Sequence, residues 1–302
     1  MHRSFRKAPR DPFDWRGPEA PVAQDAMEAR RHPARRALPI ARPARPAQID
    51  LAVRGDGPTL LFVSGSFSTG AAWRSLLAEL PFAARTATLS LCGYGQTAET
   101  RSLGNDGIAH EVAVVRSALE RLATPVTLVG HSFGGTVALA AALQAPEQVS
   151  GLVLFEANPM DVLRLAGEKR LLEEGRAVAA AFEVAVSKNV PDAPALVIDY
   201  WDGPGSFARL PGPVRDYCRE KASTNVLDWR SDFGFPADRL ASIRCPVMLG
   251  RGARANAAMV AMTEATARML PAARMIVVDG AGHFPIATHP ADCARLVADF
   301  VA

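Results

Sequence analysis

The sequence predicts an α/β fold, a doubly wound and mostly parallel sheet with a helical cap insertion. Three observations support this prediction. Strand-like apolar segments alternate with segments of helical period along most of the chain. Residues 126–129 run straight into a Gly-x-Ser-x-Gly corner, and a helix-like segment follows it. The alternation stops at about residue 157 and resumes at residue 246, as expected if a separate helical unit is inserted between two strands.

The predicted strands are apolar or β-branched and are bounded by glycine, proline or polar turns. They lie at residues 48–54, 59–63, 85–91, 126–129, 149–155, 246–249 and 274–278. The predicted helices outside the insertion lie at residues 71–80, 105–122, 136–144, 257–270 and 291–301. Two further helices are predicted within the insertion, at residues 162–174 and 176–187. Strands that alternate with helices in this way indicate a parallel sheet covered on both faces.

Length and composition are those of a globular protein. The chain has 302 residues, of which 49% are hydrophobic and 22% charged, so it is long enough to bury a sizeable core. No apolar segment approaches the roughly 18 residues of a membrane span, and the N-terminal segment has no apolar stretch typical of a secretion signal. The four cysteines lack the spacing of a disulfide framework or a metal site. We therefore expect a cytoplasmic location.

The excess of basic charge is confined to the N-terminal segment. Residues 1–46 contain 11 Lys and Arg against 5 Asp and Glu; the whole chain contains 34 against 31, which leaves 23 against 26 elsewhere. Eight prolines and no sustained apolar period predict a disordered or extended arm at 1–46, followed by one domain at 47–302 with its cap insertion at about 157–242. An unstructured extension and an arm that binds a polyanion or a partner subunit both fit. The body of the chain has no basic signature, so we expect no nucleic-acid partner.

The Gly-x-Ser-x-Gly segment at 130–134 has the features of a nucleophile elbow. The serine of such a motif lies in a sharp, strained turn, so that its hydroxyl stands clear of the sheet. Residues two positions away on either side must lack a Cβ, because strand and helix approach closely there. Gly130 and Gly134 meet this need. We therefore predict that Ser132 is a catalytic nucleophile.

Three motifs in order carry a resemblance to a known superfamily. They are Ser-Gly-Ser-Phe at 64–67, Gly-His-Ser-Phe-Gly at 130–134 and Gly-His at 282–283, each following a predicted strand. Their order and context resemble the α/β-hydrolase superfamily over about residues 48–302. The resemblance implies an α/β-hydrolase fold and a triad in the chain order serine, acid, histidine.

The resemblance implies that His283 is the general base. A serine hydroxyl is a weak nucleophile unless a base within hydrogen-bond reach takes its proton, and His283 lies in the glycine-flanked loop where the superfamily has its histidine. The other histidines lie in the arm, in a helix, beside the serine or at a helix start. We expect His131, beside the serine, to point away along the elbow. The full set of alternatives is His2, His32, His110, His131 and His289.

The acid of the triad departs from the commonest pattern. Many members of the superfamily have an aspartate after the strand at 246–249, but residues 250–256 contain no carboxylate. A carboxylate is still needed to hold the histidine tautomer and to stabilise the imidazolium. Glu156 ends the strand that follows the elbow, a position that resembles the alternative placement of the acid in some hydrolases of this fold. We predict Glu156 as the acid, with Asp161 as the alternative.

Two backbone N–H groups are expected to form the oxyanion hole. By position they belong to Phe133, directly after the nucleophile, and to Ser66 in the 64–67 motif. Ser64 occupies the position at which the superfamily usually has the histidine of a His-Gly pair. That difference concerns the support of the loop and leaves the backbone donors in place. The Ser66 hydroxyl is a further candidate donor to the oxyanion.

A serine at the elbow indicates acyl transfer. Superfamily members that open epoxides or displace halide have an aspartate there, so Ser132 indicates hydrolysis of an ester, lactone, thioester or amide. The aromatic residues of the insertion favour a small hydrophobic substrate, with an ester as the leading candidate. The sequence contains no glycine-rich phosphate loop and no metal-ligand cluster, so we expect neither a cofactor nor a metal.

Other activities fit the same residues. Cofactor-free perhydrolase or haloperoxidase activity would use the same triad, as would acyl transfer to an acceptor other than water. A catalytically silent, ligand-binding protein of this fold is a further alternative, motivated by the missing carboxylate at 250–256. The sequence does not indicate an oligomeric state.

Overall fold

The computed structural model describes residues 46–231 and 237–302. The arm predicted at 1–46 lies outside the described residues, apart from its last residue. Over the described ranges, no helix is both long enough and apolar enough to cross a membrane.

Seven strands form one sheet in the described part of the chain. They are β1 Leu51–Arg54, β2 Thr59–Val63, β3 Arg85–Leu89, β4 Val126–His131, β5 Val149–Phe155, β6 Val247–Gly252 and β7 Ala273–Val278. Their order across the sheet is β1-β3-β2-β4-β5-β6-β7. The β1–β3 pair is antiparallel and every other pair is parallel. The carboxyl ends of β4, β5 and β6 therefore meet at one edge, where α/β sheets bind their ligands.

Helices cover both faces of the sheet, as the alternating pattern predicted. In chain order they are α1 Arg74–Ala78, α2 Ala109–Leu122, α3 Phe133–Gln144, α4 Asp161–Leu165, α5 Lys169–Ser187, α6 Ala195–Asp202, α7 Ser206–Arg209, α8 Gly212–Glu220, α9 Ala222–Arg230, α10 Ala237–Leu240, α11 Ala257–Met269, α12 Pro285–Thr288 and α13 Pro290–Val301. Successive residues of β2 point to opposite faces. Leu61 packs in the core cluster with α2 and α3, and Phe62 packs in the one with α1 and α13.

The chain between β5 and β6 forms the helices α4 to α10, in the position predicted for the cap. Part of this segment has an apolar cluster of its own, which includes Phe182 of α5, Val197 of α6 and Phe207 of α7. These helices cover the edge at which β4 and β5 end, because side chains of α5, α6 and α9 line a cavity there together with Ser132.

Two of the differences between predicted and observed helix boundaries have a clear structural cause. The helix predicted from residue 105 begins at Ala109, because Asn105 instead pairs with Ser102 in an isolated bridge. The break predicted at Gly175 lies at Gly167, whose φ of 80° is incompatible with a continuing helix. Gly175 stays within α5, and the space left by its missing Cβ is taken by the Met160 side chain.

A buried ionic network connects α9 of the cap to the rest of the molecule. The Arg101 side chain is fully buried, and its Nη1 lies 2.6 Å from Asp228 Oδ1 and 2.8 Å from Glu111 Oε1. Its Nη2 lies 2.8 Å from Glu99 Oε2. Burial raises the pKa of Glu111 to about 7, although the positive charge of Arg101 opposes this rise. The guanidinium of Arg101 thus forms ion pairs with three carboxylates, one of which, Asp228, belongs to the cap.

Replacing Arg101 by leucine is expected to destabilise the protein strongly. Without the guanidinium, the buried carboxylates of Glu111 and Asp228 would lose their countercharge, and such losses cost about 3–5 kcal/mol. Urea unfolding measures this change in the free energy of unfolding. The matched control is Arg170→Leu, which removes an exposed pair with Glu174 and should cost nothing measurable. Equal effects of the two substitutions would contradict a structural role for the buried network.

Candidate active site

The predicted elbow has the backbone geometry that its chemistry requires. Ser132 lies between β4 and α3 with φ 53° and ψ −126°, a strained conformation for a residue with a side chain. A Cβ on Gly130 would lie 2.6 Å from Gly135 Cα. A Cβ on Gly134 would lie 2.4 Å from the carbonyl oxygen of Val63. Only glycine therefore fits at the two positions that flank the serine.

The structure brings Ser132, His283 and Glu156 together. Ser132 Oγ lies 3.0 Å from His283 Nε2, and Glu156 Oε2 lies 3.1 Å from His283 Nδ1. All three residues are buried, with Glu156 wholly excluded from solvent. With Nδ1–H donating to the carboxylate, Nε2 is left free to accept the serine proton. This is the arrangement of a nucleophile, a base and an orienting acid.

Glu156 is held in place by the neighbouring strand β6. It follows β5 with φ 52°, and its backbone N–H donates to Gly250 O at 2.8 Å. Its Oε1 accepts the N–H of Gly252 at 2.5 Å, which directs Oε2 towards His283. The 250–256 segment, in which the sequence has no carboxylate, thus contributes a donor that orients the carboxylate of Glu156.

Asp161, the alternative acid, is not the partner of the histidine. It is the first residue of α4 and lines the cavity, with Oδ1 3.9 Å from Arg164 Nε. Both ring nitrogens of His283 are engaged, one by Ser132 and the other by Glu156. No position on the imidazole therefore remains for Asp161 in this structure.

The two predicted oxyanion donors lie beside the nucleophile. Ser66 and Phe133 line the same cavity as Ser132. Phe133 is the first residue of α3, so its N–H has no acceptor within the helix. Among the described residues, neither this N–H nor that of Ser66 donates a hydrogen bond to a backbone oxygen. The expectation for the Ser66 hydroxyl was wrong, because its single proton is donated to Asp228 Oδ2 at 2.6 Å.

His131 points towards the site. Its position beside the serine had predicted the opposite direction, away along the elbow. Its ring lies 5.3 Å from the ring of His283, and its Nε2 is 2.8 Å from the His283 carbonyl oxygen. Burial, with a smaller contribution from the neighbouring His283, lowers the pKa of His131 to about 3. His131 is therefore neutral and donates Nε2–H to that carbonyl. The close packing of the elbow against the 280–284 loop explains the difference.

Two residues of the cap that the sequence analysis missed also contact His283. Asp202 Oδ1 accepts the backbone N–H of His283 at 2.8 Å. The Trp201 ring stacks on the imidazole, with a centroid distance of 5.4 Å and an interplanar angle of 21°. The aromatic composition of the insertion was visible in the sequence, but its contact with this loop depends on how the cap folds back.

A cavity of about 200 Å³ opens in front of Ser132, between the sheet edge and the cap. Much of its wall is apolar or aromatic, and polar groups are also present. Its apolar and aromatic lining residues include Phe67, Phe133, Met160, Leu172, Val197, Ile198, Trp201, Trp229 and Phe284. The polar ones include Thr136, Asn158, Arg176, Asn225, Asp228 and Ser231. A small, largely hydrophobic molecule fits this lining.

The sheet, the elbow and the covering helices define an α/β-hydrolase architecture, and comparison with known proteins agrees. The sequence profile of the alpha/beta hydrolase family matches residues 60–296, so the chain belongs to this family. It is 28% identical over 268 residues to a pimeloyl-acyl-carrier protein methyl ester esterase of Aromatoleum aromaticum, covering 81% of this chain and 98% of that protein.

The solved structures that share the fold include the following two. One is a thermophilic esterase from Thermogutta terrifontis, with a TM-score of 0.64 and 20% identity, covering 85% of this chain and 96% of that one. The other is BpoC from Mycobacterium tuberculosis, described as a candidate non-heme bromoperoxidase, with a TM-score of 0.61 and 17% identity, covering 84% and 95%. At these identities the likeness extends to the fold alone. The family and its relatives indicate a hydrolase.

Proposed function

We propose that this protein is a serine hydrolase that cleaves an ester of a small hydrophobic molecule through an acyl-enzyme intermediate. The proposal rests on one observation, the 3.0 Å contact between Ser132 Oγ and His283 Nε2, with a buried carboxylate on the opposite ring nitrogen. A nucleophile, a base and an orienting acid within hydrogen-bond reach of one another, beside a cavity, are the features expected of an active site.

In the proposed reaction, Ser132 Oγ attacks the ester carbonyl carbon while His283 Nε2 takes the hydroxyl proton. Glu156 stabilises the imidazolium that forms, and the N–H groups of Ser66 and Phe133 donate to the carbonyl oxygen as it becomes an oxyanion. The imidazolium then protonates the departing alkoxide, and the acyl group stays on Ser132. A water molecule, deprotonated by the same histidine, releases the carboxylic acid and restores the serine.

The cavity and the relatives support the proposed substrate class. The aromatic and aliphatic lining favours a hydrophobic acyl or alcohol group, and the small volume favours a short one. The Aromatoleum relative is an esterase by name. Lactones and thioesters have the same reacting carbonyl and belong to the proposal. The reaction needs no cofactor or metal, and a cytoplasmic location stays a prediction.

A panel of 4-nitrophenyl esters, from acetyl to dodecanoyl, tests the proposal. We expect hydrolysis with a maximum of kcat/KM at short or intermediate acyl chains, because long chains exceed the cavity. The same panel run with Ser132→Ala supplies the background rate. Absence of hydrolysis of these esters and of simple lactones and thioesters, in protein that is folded by circular dichroism, would contradict the proposal and would favour a ligand-binding role.

A second candidate function uses the same residues. If hydrogen peroxide replaces water in the deacylation step, the acyl-enzyme releases a peracid, which can oxidise bromide. The fold likeness to BpoC motivates this candidate. Peroxide-dependent bromination of a dye in the presence of a carboxylic acid tests it, with ester hydrolysis measured in parallel. Transfer of the acyl group to an alcohol is tested separately, by adding the alcohol to the ester assay and looking for a new ester.

A further inference from the structure

The cap contacts both the backbone and the imidazole ring of the proposed base, His283. Asp202, the last residue of α6, accepts the N–H of His283 at 2.8 Å. The glycine at 282 leaves room for this carboxylate, since a Cβ there would lie 2.4 Å from Asp202 Oδ1. Ser206 Oγ donates to the carbonyl oxygen of Asp202 at 2.9 Å and lies 3.2 Å from its Oδ2. The position of the 282–283 loop is therefore determined in part by α6.

The preceding residue of α6 fixes the plane of the imidazole. Trp201 is buried and stacks on the His283 ring at 5.4 Å and 21°. The indole prevents rotation of the ring on that side and excludes water from it. It also lies within the roughly 6 Å at which a tryptophan face attracts a cation. The stack thus favours the imidazolium that exists after proton transfer from Ser132.

The cap also holds the proposed oxyanion loop. Asp228 of α9 is buried and accepts the Ser66 hydroxyl at 2.6 Å and the Tyr94 hydroxyl at 2.7 Å. Its other oxygen is paired with Arg101 at 2.6 Å. Because its partners fill its acceptor positions, this carboxylate serves to anchor its neighbours, among them the residue whose N–H would bind the oxyanion.

The contacts that the cap makes with His283 and with Ser66 are connected to each other within the cap. Trp201 of α6 stacks on Trp229 of α9, with a centroid distance of 5.6 Å and an interplanar angle of 23°. Trp229 directly follows Asp228 in the chain. Ring stacking thus joins His283, Trp201 and Trp229, and the backbone joins Trp229 to Asp228, which binds Ser66. This connection from His283 to Ser66 runs through the cap and does not pass through the sheet.

We propose that the cap aligns the catalytic groups, with Trp201 and Asp202 as positioning residues for His283 and Asp228 as the positioning residue for Ser66. This inference rests on the proposed function and assigns a role to the cap beyond covering the substrate. Misplacement of a reacting group by about 1 Å costs on the order of 100-fold in rate. Loosening the cap contacts should therefore slow the chemical step more than it weakens binding.

Inactivation by a fluorophosphonate tests this role without knowledge of the natural substrate. The probe reacts with a serine that has an aligned base and oxyanion hole, and its kinetics separate the maximal rate, kinact, from the binding constant, KI. For Asp202→Ala we expect kinact to fall about 10- to 100-fold, with KI within about twofold of wild type. Asp202→Asn should recover most of this loss, because its amide oxygen can still accept the His283 N–H.

The control and a second pair of variants keep the test decisive. Asp216→Ala removes an exposed cap aspartate that pairs with Arg219 and should leave kinact unchanged. Trp201→Leu should lower kinact more than Trp201→Phe, which retains a stacking ring, and this pair decides the matter if Asp202→Ala does not fold. An unchanged kinact, a change in KI alone, or a slow Asp202→Asn would overturn the inference. A wild-type protein that does not react with the probe would instead contradict the proposed function itself.

Discussion

Ser132→Ala is expected to lower kcat for ester hydrolysis by about 10⁴- to 10⁶-fold, with the protein still folded. The substitution removes the atom that attacks the carbonyl carbon, while the oxyanion donors and the cavity remain. Alanine also lacks the side-chain oxygen that contacts His283 at 3.0 Å, and no other described serine is hydrogen-bonded to this base. Steady-state kinetics on the best ester of the panel measure the loss, and thermal unfolding reports the fold.

The control for this variant is Ser187→Ala, which removes a hydroxyl at the exposed end of α5 that is bonded to Val184 O. It should match wild type in both assays. Ester hydrolysis by Ser132→Ala at a rate near that of wild type would show that another group is the nucleophile and would contradict the assignment of Ser132.

Glu156→Gln should lower kcat by about 10²- to 10⁴-fold, towards the larger value. Both oxygens of the Glu156 carboxylate accept hydrogen bonds from fixed donors, Gly252 N–H on one side and His283 Nδ1–H on the other. Glutamine has one oxygen and one NH₂ group. In either orientation of the amide, the NH₂ group therefore faces one of these two N–H donors and cannot accept its hydrogen bond. Relief of that conflict at His283 requires the tautomer with the proton on Nε2, which cannot accept the serine proton.

The comparison variant is Asp161→Asn, which should retain most of its activity. Asp161 lines the cavity, but the imidazole has no ring nitrogen left for it. An active Glu156→Gln together with an inactive Asp161→Asn would assign the acid to Asp161. Full activity in both variants would mean that the serine and histidine work without an acid, or that the reaction takes place elsewhere.

The core of the fold could be predicted because its signals are local. The strands Thr59–Val63 and Val149–Phe155 have the predicted bounds, since each is an apolar run that ends at polar or glycine residues. The elbow was predictable because only glycine tolerates the approach seen at Gly130 and Gly134. The proximity of Glu156 to His283 follows from the parallel order of β5, β6 and β7, which aligns the carboxyl ends of the strands.

The contribution of the cap could not be read from the sequence. Asp202 and Asp228 are two of several acidic residues in a helical insertion, and no spacing distinguishes them from surface carboxylates. Their partners, His283 and Ser66, are distant in the chain, so the contacts depend on how the cap packs against the sheet. The direction of the His131 ring depended in the same way on the loop packed beside it.

The most direct test of the central claim is peptide mass spectrometry after reaction with a fluorophosphonate. Trypsin should release the segment 122–164, which contains Ser132, because no lysine or arginine lies between Arg121 and Arg164. We expect the phosphonyl group to be attached to Ser132 in the wild-type protein and Ser132→Ala to remain unmodified. An unreactive wild-type protein, or a modification at another residue that persists in Ser132→Ala, would contradict it.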